Sequence, residues 1–235
     1  MKTGKDLLTE GIEILCQNDK EAESLISPRF EEIISLLERY VKEIELFNAA
    51  YGLVAADNTN ELITRHILDS IAPLGIIYRL LGEAQGRQIA DAGSGAGLPG
   101  IPLAVTLPDC SFTLIERMGR RAGFLNNTKA VLGIGNIIVE ESELEVLLRK
   151  KPENERFSLV TFRAFKPMEP KLLKTLFSAC GKNGLIAAYK GKREKIEAEM
   201  LQLKNNCPEW EAIPYKAPFL DEDRHLLIIR QEQAR

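Results

Sequence analysis

The spacing of apolar residues changes near residue 85. Before that point apolar positions recur every three or four residues, which predicts helices with one buried face. The predicted helical segments are residues 6–16, 28–48 and 61–81. Ser27-Pro28 has the N-cap and first-turn pattern of a helix start. Pro73 and Gly75 predict a break in the third segment.

After residue 85 short apolar runs alternate with helical segments. The predicted strands are residues 88–91, 111–116, 136–140, 157–162, 185–189, 211–215 and 226–230, and the last two are expected to form an antiparallel hairpin. The predicted helices are residues 99–107, 119–132, a short one after Ser142, 168–180 and 192–205. This alternation is typical of a parallel sheet with helices on both faces. We therefore expect a helical extension over residues 1–84 and an α/β domain over residues 85–235.

Composition excludes several classes of protein. With 235 residues, 45% of them hydrophobic and 28% charged, the chain has the composition of a globular protein. It has no run near the roughly 20 apolar residues that cross a bilayer and no apolar signal-peptide core, so we expect a cytoplasmic protein without membrane contact. The four cysteines lack Cys-x-x-Cys spacing and there are two histidines, His66 and His225. We expect reduced cysteines and no metal site.

Charge is distributed unevenly along the chain, although the net charge is only −3. Residues 1–61 contain 6 Lys/Arg and 13 Asp/Glu, whereas residues 163–195 contain nine Lys/Arg and two glutamates. A local excess of cations is what a phosphate-rich partner requires. Solvated helix faces explain the same excess equally well, so both interpretations stay open.

A glycine-rich segment follows the first predicted strand, with the sequence Asp91-Ala-Gly-Ser-Gly-Ala-Gly-Leu-Pro-Gly100. Glycines at this place let the backbone approach a ligand, and the N-terminal N–H groups of the next helix face the cleft. In open α/β sheets, ligands bind at the carboxyl ends of the strands. The segment therefore predicts a ligand site.

A carboxylate at the strand end indicates which ligand this is. Gly95-x-Gly-x-x-Gly100 matches the dinucleotide fingerprint, but Gly95 comes four residues after Asp91 instead of directly after the strand. Asp91 disfavours a diphosphate and suits a ligand with ammonium and sulfonium groups, namely S-adenosyl-L-methionine. Glu116, which ends the second strand, suits the ribose hydroxyls of either cofactor. A dinucleotide site and a turn without a ligand stay open as alternatives.

Motifs elsewhere in the chain extend this pattern. They are His66-x-x-Asp69-Ser70, Leu98-Pro-Gly-Ile-Pro102, Arg120-Arg121-x-x-Phe124-Leu125, Arg163-Ala-Phe165, Lys190-Gly191 and Arg224-His-Leu226. With these motifs the chain resembles the RsmG (GidB) family, which methylates N7 of a guanosine in 16S rRNA, guanosine 527 by the family's convention. The resemblance implies a class I (Rossmann-like) methyltransferase, with a seven-stranded, mostly parallel sheet after N-terminal helices. It also implies a cytoplasmic monomer that acts on 16S rRNA or the small ribosomal subunit.

The resemblance also implies roles for individual residues. Gly93 and Leu98 contact the methionine end of the cofactor, Glu116 the ribose, and Leu144 and Glu145 the adenine. With the glycine motif, the cofactor-binding set is Asp91, Gly93, Gly95, Gly97, Leu98, Glu116, Leu144, Glu145 and Arg163. The RNA-binding set is Arg120, Arg121, Lys190 and Arg224.

Methyl transfer to guanine N7 needs no general base, because N7 has a lone pair and no proton. Catalysis then rests on alignment for an in-line displacement. We expect Arg163 to be the catalytic residue, donating to guanine O6 so that N7 faces the methyl group. Alternatively, Arg163 neutralises Asp91 or another carboxylate, and His66 and Asp69 make an interhelical contact instead of acting in catalysis. A small-molecule methyltransferase and a non-catalytic nucleotide-binding protein are the alternative functions.

Overall fold

The first third of the chain is helical, as its apolar spacing predicts. A computed structural model describes residues 3–82, 86–163, 168–203 and 208–230. Its N-terminal helices are α1 (Gly4–Asn18), α2 (Lys20–Ile26), α3 (Phe30–Tyr51), α4 (Thr59–Leu62), α5 (Asp69–Ile71) and α6 (Leu74–Leu81). A 3₁₀ turn, Ser27–Arg29, precedes α3, and a π-helical segment, Ile63–Leu68, joins α4 to α5.

Local sequence explains most of these helix boundaries. Thr3 and Asp6 form a reciprocal capping box at the start of α1. The α3 helix ends at Gly52, whose φ of 56° is the left-handed conformation common after a last helical turn. The predicted N-cap role of Ser27 is wrong, because the Ser27-Pro28 pair lies in the 3₁₀ turn and α3 begins three residues later.

The remaining elements alternate as expected. The strands are β1 (Gln88–Ala92), β2 (Ser111–Ile115), β3 (Ile137–Glu140), β4 (Phe157–Arg163), β5 (Cys180–Lys190), β6 (Glu209–Tyr215) and β7 (Arg224–Arg230). The helices are α7 (Gly100–Thr106), α8 (Gly119–Leu132), α9 (Leu144–Lys150), α10 (Pro170–Ala179) and α11 (Arg193–Gln202), with a 3₁₀ turn at Glu153–Glu155. This order confirms the predicted alternation of strand and helix.

The seven strands form one sheet in the order β3-β2-β1-β4-β5-β7-β6. All neighbouring pairs from β3 to β5 are parallel, and β7 runs antiparallel to both β5 and β6. The strand order reverses between β1 and β4, which is the place where open α/β sheets bind ligands. Because Asp91 pairs with Thr161, Gly93 and Arg163 both lie two residues past that pair at the same sheet edge.

Two buried clusters cover the two faces of the sheet. One joins α1–α8 to side chains such as Ile89, Phe112 and Ile228. The other joins α10 and α11 to side chains such as Val160 and Ile186. The N-terminal helices thus share a core with the sheet, and the predicted division into residues 1–84 and 85–235 stays a prediction. Within the described ranges, no helix has the length and apolar character needed to cross a membrane.

Candidate active site

The glycine-rich turn after β1 (residues 93–99) contains backbone conformations that residues with a side chain rarely adopt. Gly97 has a φ of 91°, and a Cβ built on it would lie 2.5 Å from Cδ1 of Ile101. A Cβ on Gly95 would approach only the Gly93 carbonyl oxygen, at 4.0 Å. The backbone at Gly95 is therefore open to a closely approaching ligand, while Gly97 packs against the protein.

Asp91 lies beneath this turn. Its side chain is fully buried, and its Oδ2 accepts a hydrogen bond from the Gly100 N–H at 3.0 Å, at the start of α7. Its Oδ1 is buried and has no hydrogen-bond partner among the residues that the structure describes. Burial raises the pKa of Asp91 to about 7. The structure thus assigns Asp91 to holding the turn, and its predicted contact with the cofactor stays a prediction.

Glu116 connects the turn to the end of β2. Its Oε2 accepts a hydrogen bond from the Gly95 N–H at 3.0 Å, and its Oε1 accepts one from the Met118 N–H at 2.8 Å. The side chain is buried but borders the cavity described next. Glu116 is therefore placed where a ligand hydroxyl would meet a fixed carboxylate.

A cavity of about 630 Å³ opens at the carboxyl ends of β1 and β2, and we call it the glycine-loop cavity. Its lining includes Gly93, Glu116, Arg121, Leu144 and Glu145. Its volume is in the range for cofactors and other small molecules. The structure therefore brings together four of the predicted cofactor residues here.

Three other predicted residues have different positions relative to this cavity. Leu98 is buried within the turn. Arg121, expected on an RNA surface, lines the cavity, and its Nη2 donates to the Gly52 carbonyl at 3.0 Å. Arg120 is exposed at the start of α8. The adenine and ribose assignments made from the resemblance are consistent with this geometry and stay predictions.

Arg163, at the end of β4, faces a different cavity. Its Nη2 contacts Nδ1 of His66 at 2.6 Å, and its Nη1 lies 3.4 Å from Oδ2 of Asp69. The carboxylate that Arg163 neutralises by ion pairing is therefore Asp69 rather than Asp91. Only 15% of the Arg163 side chain is exposed. The guanidinium is thus held by two residues of the helical extension.

His66 and Asp69 both lie on the continuous helical run from α4 through the π-helical segment to α5. Oδ1 of Asp69 accepts hydrogen bonds from the Tyr215 hydroxyl at 3.1 Å and from Nε of Arg224 at 3.2 Å. One buried carboxylate therefore holds two arginines and a tyrosine. The predicted interhelical contact of His66 and Asp69 is instead a contact to strand residues.

His66 has both ring nitrogens engaged. With Nδ1 accepting from Arg163, Nε2 donates to the Ala55 carbonyl at 3.1 Å. Burial lowers the pKa of His66, and the charge of Arg163 lowers it further. The imidazole is therefore neutral, and its hydrogen bond orients the Arg163 guanidinium.

The second cavity, of about 350 Å³, is called the arginine cavity here. It is lined by Ala55, Glu61, Arg65, His66, Asp69, Arg163, Tyr189, Lys190, Gly191, Tyr215 and Arg224. Lys190 pairs with Glu199 at 2.8 Å, and Arg224 pairs with Glu222 at 2.9 Å as well as with Asp69. The structure thus brings two of the four predicted RNA-binding residues to this cavity, each in an ion pair.

Sequence reasoning missed two tyrosines, one at the arginine cavity and one at the glycine-rich turn. The Tyr189 hydroxyl donates to the Ser70 carbonyl at 2.7 Å, and the Tyr40 hydroxyl donates to the Ala96 carbonyl at 2.6 Å within the glycine-rich turn. Nothing in their local spacing distinguishes them from core aromatics. His225 is a hairpin residue whose Nδ1 contacts the Gly191 carbonyl at 2.7 Å.

The Ala164-Phe165 part of the Arg163 motif lies outside the described residues, and so does Lys166, one of the nine Lys/Arg counted over residues 163–195. In the described parts of the chain, no group of three or more His, Cys, Asp or Glu side chains is placed to hold a metal ion.

Comparison with solved structures defines the class of protein. The precorrin-6y C5,15-methyltransferase of Geobacter metallireducens GS-15 matches with a TM-score of 0.53 at 11% sequence identity, over 79% of this chain and 96% of that chain. The fold is therefore that of the class I, Rossmann-like methyltransferases, as expected. A cofactor in the glycine-loop cavity would meet Gly93 at the end of β1 and the fixed carboxylate of Glu116 at the end of β2, because both residues line it.

Comparison of sequences defines the family. The family model GidB, described as rRNA small subunit methyltransferase G, matches residues 33–227. The protein named Ribosomal RNA small subunit methyltransferase G of Treponema denticola is 36% identical, over 97% of this chain and 96% of that protein. Its namesake of Treponema pallidum (strain Nichols) is 38% identical, over 84% of this chain and 85% of that protein. The chain belongs to the GidB family, which confirms the resemblance. The methyl donor of this family is S-adenosyl-L-methionine, which confirms the expected cofactor, and Gly93 and Glu116 of the glycine-loop cavity fit such a ligand.

Proposed function

We propose that this protein transfers a methyl group from S-adenosyl-L-methionine to N7 of a guanosine in 16S rRNA, guanosine 527 by the family's convention. The observation that supports this most is the position of Arg163. It lies at the same sheet edge as Gly93, with Gly93 facing the glycine-loop cavity and Arg163 facing the arginine cavity. Methyl donor and target base then meet at the ends of β1 and β4.

In this proposal each cavity has one occupant. The glycine-loop cavity holds the cofactor, with Gly93 and Leu98 towards the methionine end. Glu116 accepts from the ribose hydroxyls, and Leu144 and Glu145 flank the adenine. The arginine cavity takes the target guanosine, and its volume of about 350 Å³ admits one nucleobase with part of its sugar. The protein acts as a cytoplasmic monomer.

The residues act by orientation. When bound, S-adenosyl-L-methionine supplies a methyl group on a sulfonium, so that the S–CH₃ bond breaks as the bond to guanine N7 forms and the positive charge passes to the guanine ring. Arg163 donates to guanine O6 and fixes the direction of N7. His66 and Asp69 hold the guanidinium in that orientation. Because N7 has no proton, the engaged and neutral His66 is not required as a base. Alignment of this kind lowers barriers by up to about 7–11 kcal/mol.

Single-turnover methylation of purified small subunits tests this proposal. Subunits from cells that lack this protein are the substrate, and mass spectrometry of nuclease digests measures N7-methylguanosine. We expect Arg163→Ala to lower the methylation rate at saturating subunit concentration by about 100-fold or more, in line with a 1 Å misplacement of the reacting groups. The matched control is Arg79→Ala, which removes an exposed, ion-paired arginine on α6. An unchanged rate for Arg163→Ala contradicts the orienting role.

Salt dependence separates this proposal from a small-molecule methyltransferase. Binding to rRNA releases counterions, so the affinity for the subunit should fall steeply between about 50 and 200 mM salt. A salt-independent affinity contradicts an RNA substrate.

A further inference from the structure

The loop between β6 and β7 (residues 216–223) contains an exposed aromatic side chain in a strained backbone conformation. Phe219 has a φ of 65°, a region that bulky side chains disfavour. Its side chain is 45% exposed, although its neighbours Ala217 and Pro218 are buried. A phenylalanine that strains the backbone and leaves nearly half of its surface exposed contributes less to stability than a fully buried one. Such outliers are concentrated at functional positions.

This loop begins and ends at the arginine cavity. Tyr215 and Arg224 are paired at its two ends, and both line that cavity. Phe219 is four residues from Tyr215, so its backbone lies within about 14 Å of the cavity. Glu222 ties the loop to the cavity rim, because it pairs with Arg65 at 2.6 Å and with Arg224 at 2.9 Å. The ring is therefore held within reach of a nucleotide next to the target.

A segment rich in lysine and arginine lies beside the loop. A Cβ built on Gly191 would be 3.8 Å from the Asp223 carbonyl oxygen, so the end of β5 and the end of the loop are adjacent. Directly after Gly191 come Lys192, Arg193 and Lys195, all of them exposed. Arg193 pairs with Glu197 on its own helix. Lys192 and Lys195, which have no ion pair with any residue that the structure describes, therefore lie on one side of the loop.

We propose that Phe219, Lys192 and Lys195 form a contact for single-stranded RNA beside the methylated nucleotide. The ring of Phe219 stacks on a neighbouring base, and the lysines bind the phosphates that follow it. An exposed aromatic ring combined with cations is the usual arrangement in single-strand binding, where every base offers a face for stacking. Asp221 and Asp223 are exposed on the same loop, so we expect the phosphates to bind at the lysine side chains rather than along the loop itself. This inference rests on the proposed function.

Variants of Phe219 test the contact. Phe219→Leu keeps an apolar side chain but removes the aromatic face, and Phe219→Trp keeps a face for stacking. We expect Phe219→Leu to raise the KM for the subunit at least about fivefold with kcat unchanged, while Phe219→Trp stays within twofold of wild type. The affinity for S-adenosylhomocysteine, measured by calorimetry, should be the same in all three proteins. Ile138→Ala, which truncates an exposed apolar side chain on the opposite sheet edge, is the matched control.

Phe219→Gly separates binding from stability. Glycine relieves the strain of a positive φ, so this variant should retain the Tm of wild type and still show the raised KM. The inference is overturned if the KM values of Phe219→Leu and Phe219→Gly are within twofold of wild type. It is also overturned if KM rises only in variants with a lowered Tm, whether or not they carry an aromatic ring. If the wild-type protein itself fails to methylate the subunit, the proposed function fails. If it methylates normally and the variants match it, only the Phe219 contact fails.

Discussion

Removing the Asp69 carboxylate should destabilise the protein and disorder the arginine cavity at the same time. Asp69 is buried, with 6% of its side chain exposed, and it accepts hydrogen bonds from Arg163, Arg224 and Tyr215. In Asp69→Ala, Arg224 retains Glu222 as a partner, whereas the largely buried guanidinium of Arg163 loses its only ion pair within the described residues. Leaving a buried charge without its partner costs about 3–5 kcal/mol.

Thermal unfolding measures this cost. For a chain of this length, about 3–5 kcal/mol corresponds to a decrease in Tm of roughly 6–20 °C. Asp69→Asn keeps one oxygen acceptor, so its Tm should lie between those of Asp69→Ala and wild type. Glu222→Ala removes a more exposed partner and should cost less than about 1 kcal/mol.

A double variant isolates the charge from the lost contacts. If the cost arises from the uncompensated guanidinium, adding Arg163→Met to Asp69→Ala should raise the Tm above that of Asp69→Ala alone. Both proteins should have a low methylation rate, because neither has an oriented Arg163. A Tm for Asp69→Ala within 2 °C of wild type, or a double variant less stable than Asp69→Ala, refutes this reasoning.

Two further predictions concern the glycine-rich turn. Gly97→Ala should lower the Tm and abolish the calorimetric signal for S-adenosylhomocysteine, because its Cβ collides with a core side chain. Gly123→Ala lies at an exposed helix position with open space around it, so it should raise the free energy of unfolding by up to about 1 kcal/mol. A Gly97→Ala protein more stable than Gly123→Ala would contradict the packing of the turn. Asp91, whose pKa is raised to about 7 by burial, binds its proton more tightly in the folded state. In cofactor-free protein the free energy of unfolding should therefore decrease as pH rises from about 4 to about 7, and Asp91→Asn should flatten this slope in urea titrations.

The sheet was predictable because its signals are local. Strand and helix periods alternate cleanly after residue 85, and the glycine motif marks the first turn, so the architecture follows from short-range pattern. The short helix α2 and the true start of α3 were missed, because Ser27-Pro28 has the same local pattern in a 3₁₀ turn as in a helix start. Periodicity alone does not separate these two cases.

The candidate site was predictable only in part, because its contacts join distant segments. Asp69 meets Arg224 across 155 positions and Arg163 across 94, and no local pattern encodes that pairing. Arg121 has the spacing of an RNA-facing helix residue, yet it lines the glycine-loop cavity because α8 begins at the end of β2. The strain at Phe219 arises from backbone geometry that residue types alone do not reveal.

The most direct test of the account is a base-resolved comparison of 16S rRNA from cells with and without this protein. Mass spectrometry of nuclease digests, or chemical cleavage at N7-methylguanosine, measures the modification. We expect one N7-methylguanosine to be missing without the protein, the wild-type gene to restore it, and an Arg163→Ala gene to fail to restore it. An identical set of methylated bases in both rRNAs would contradict the account.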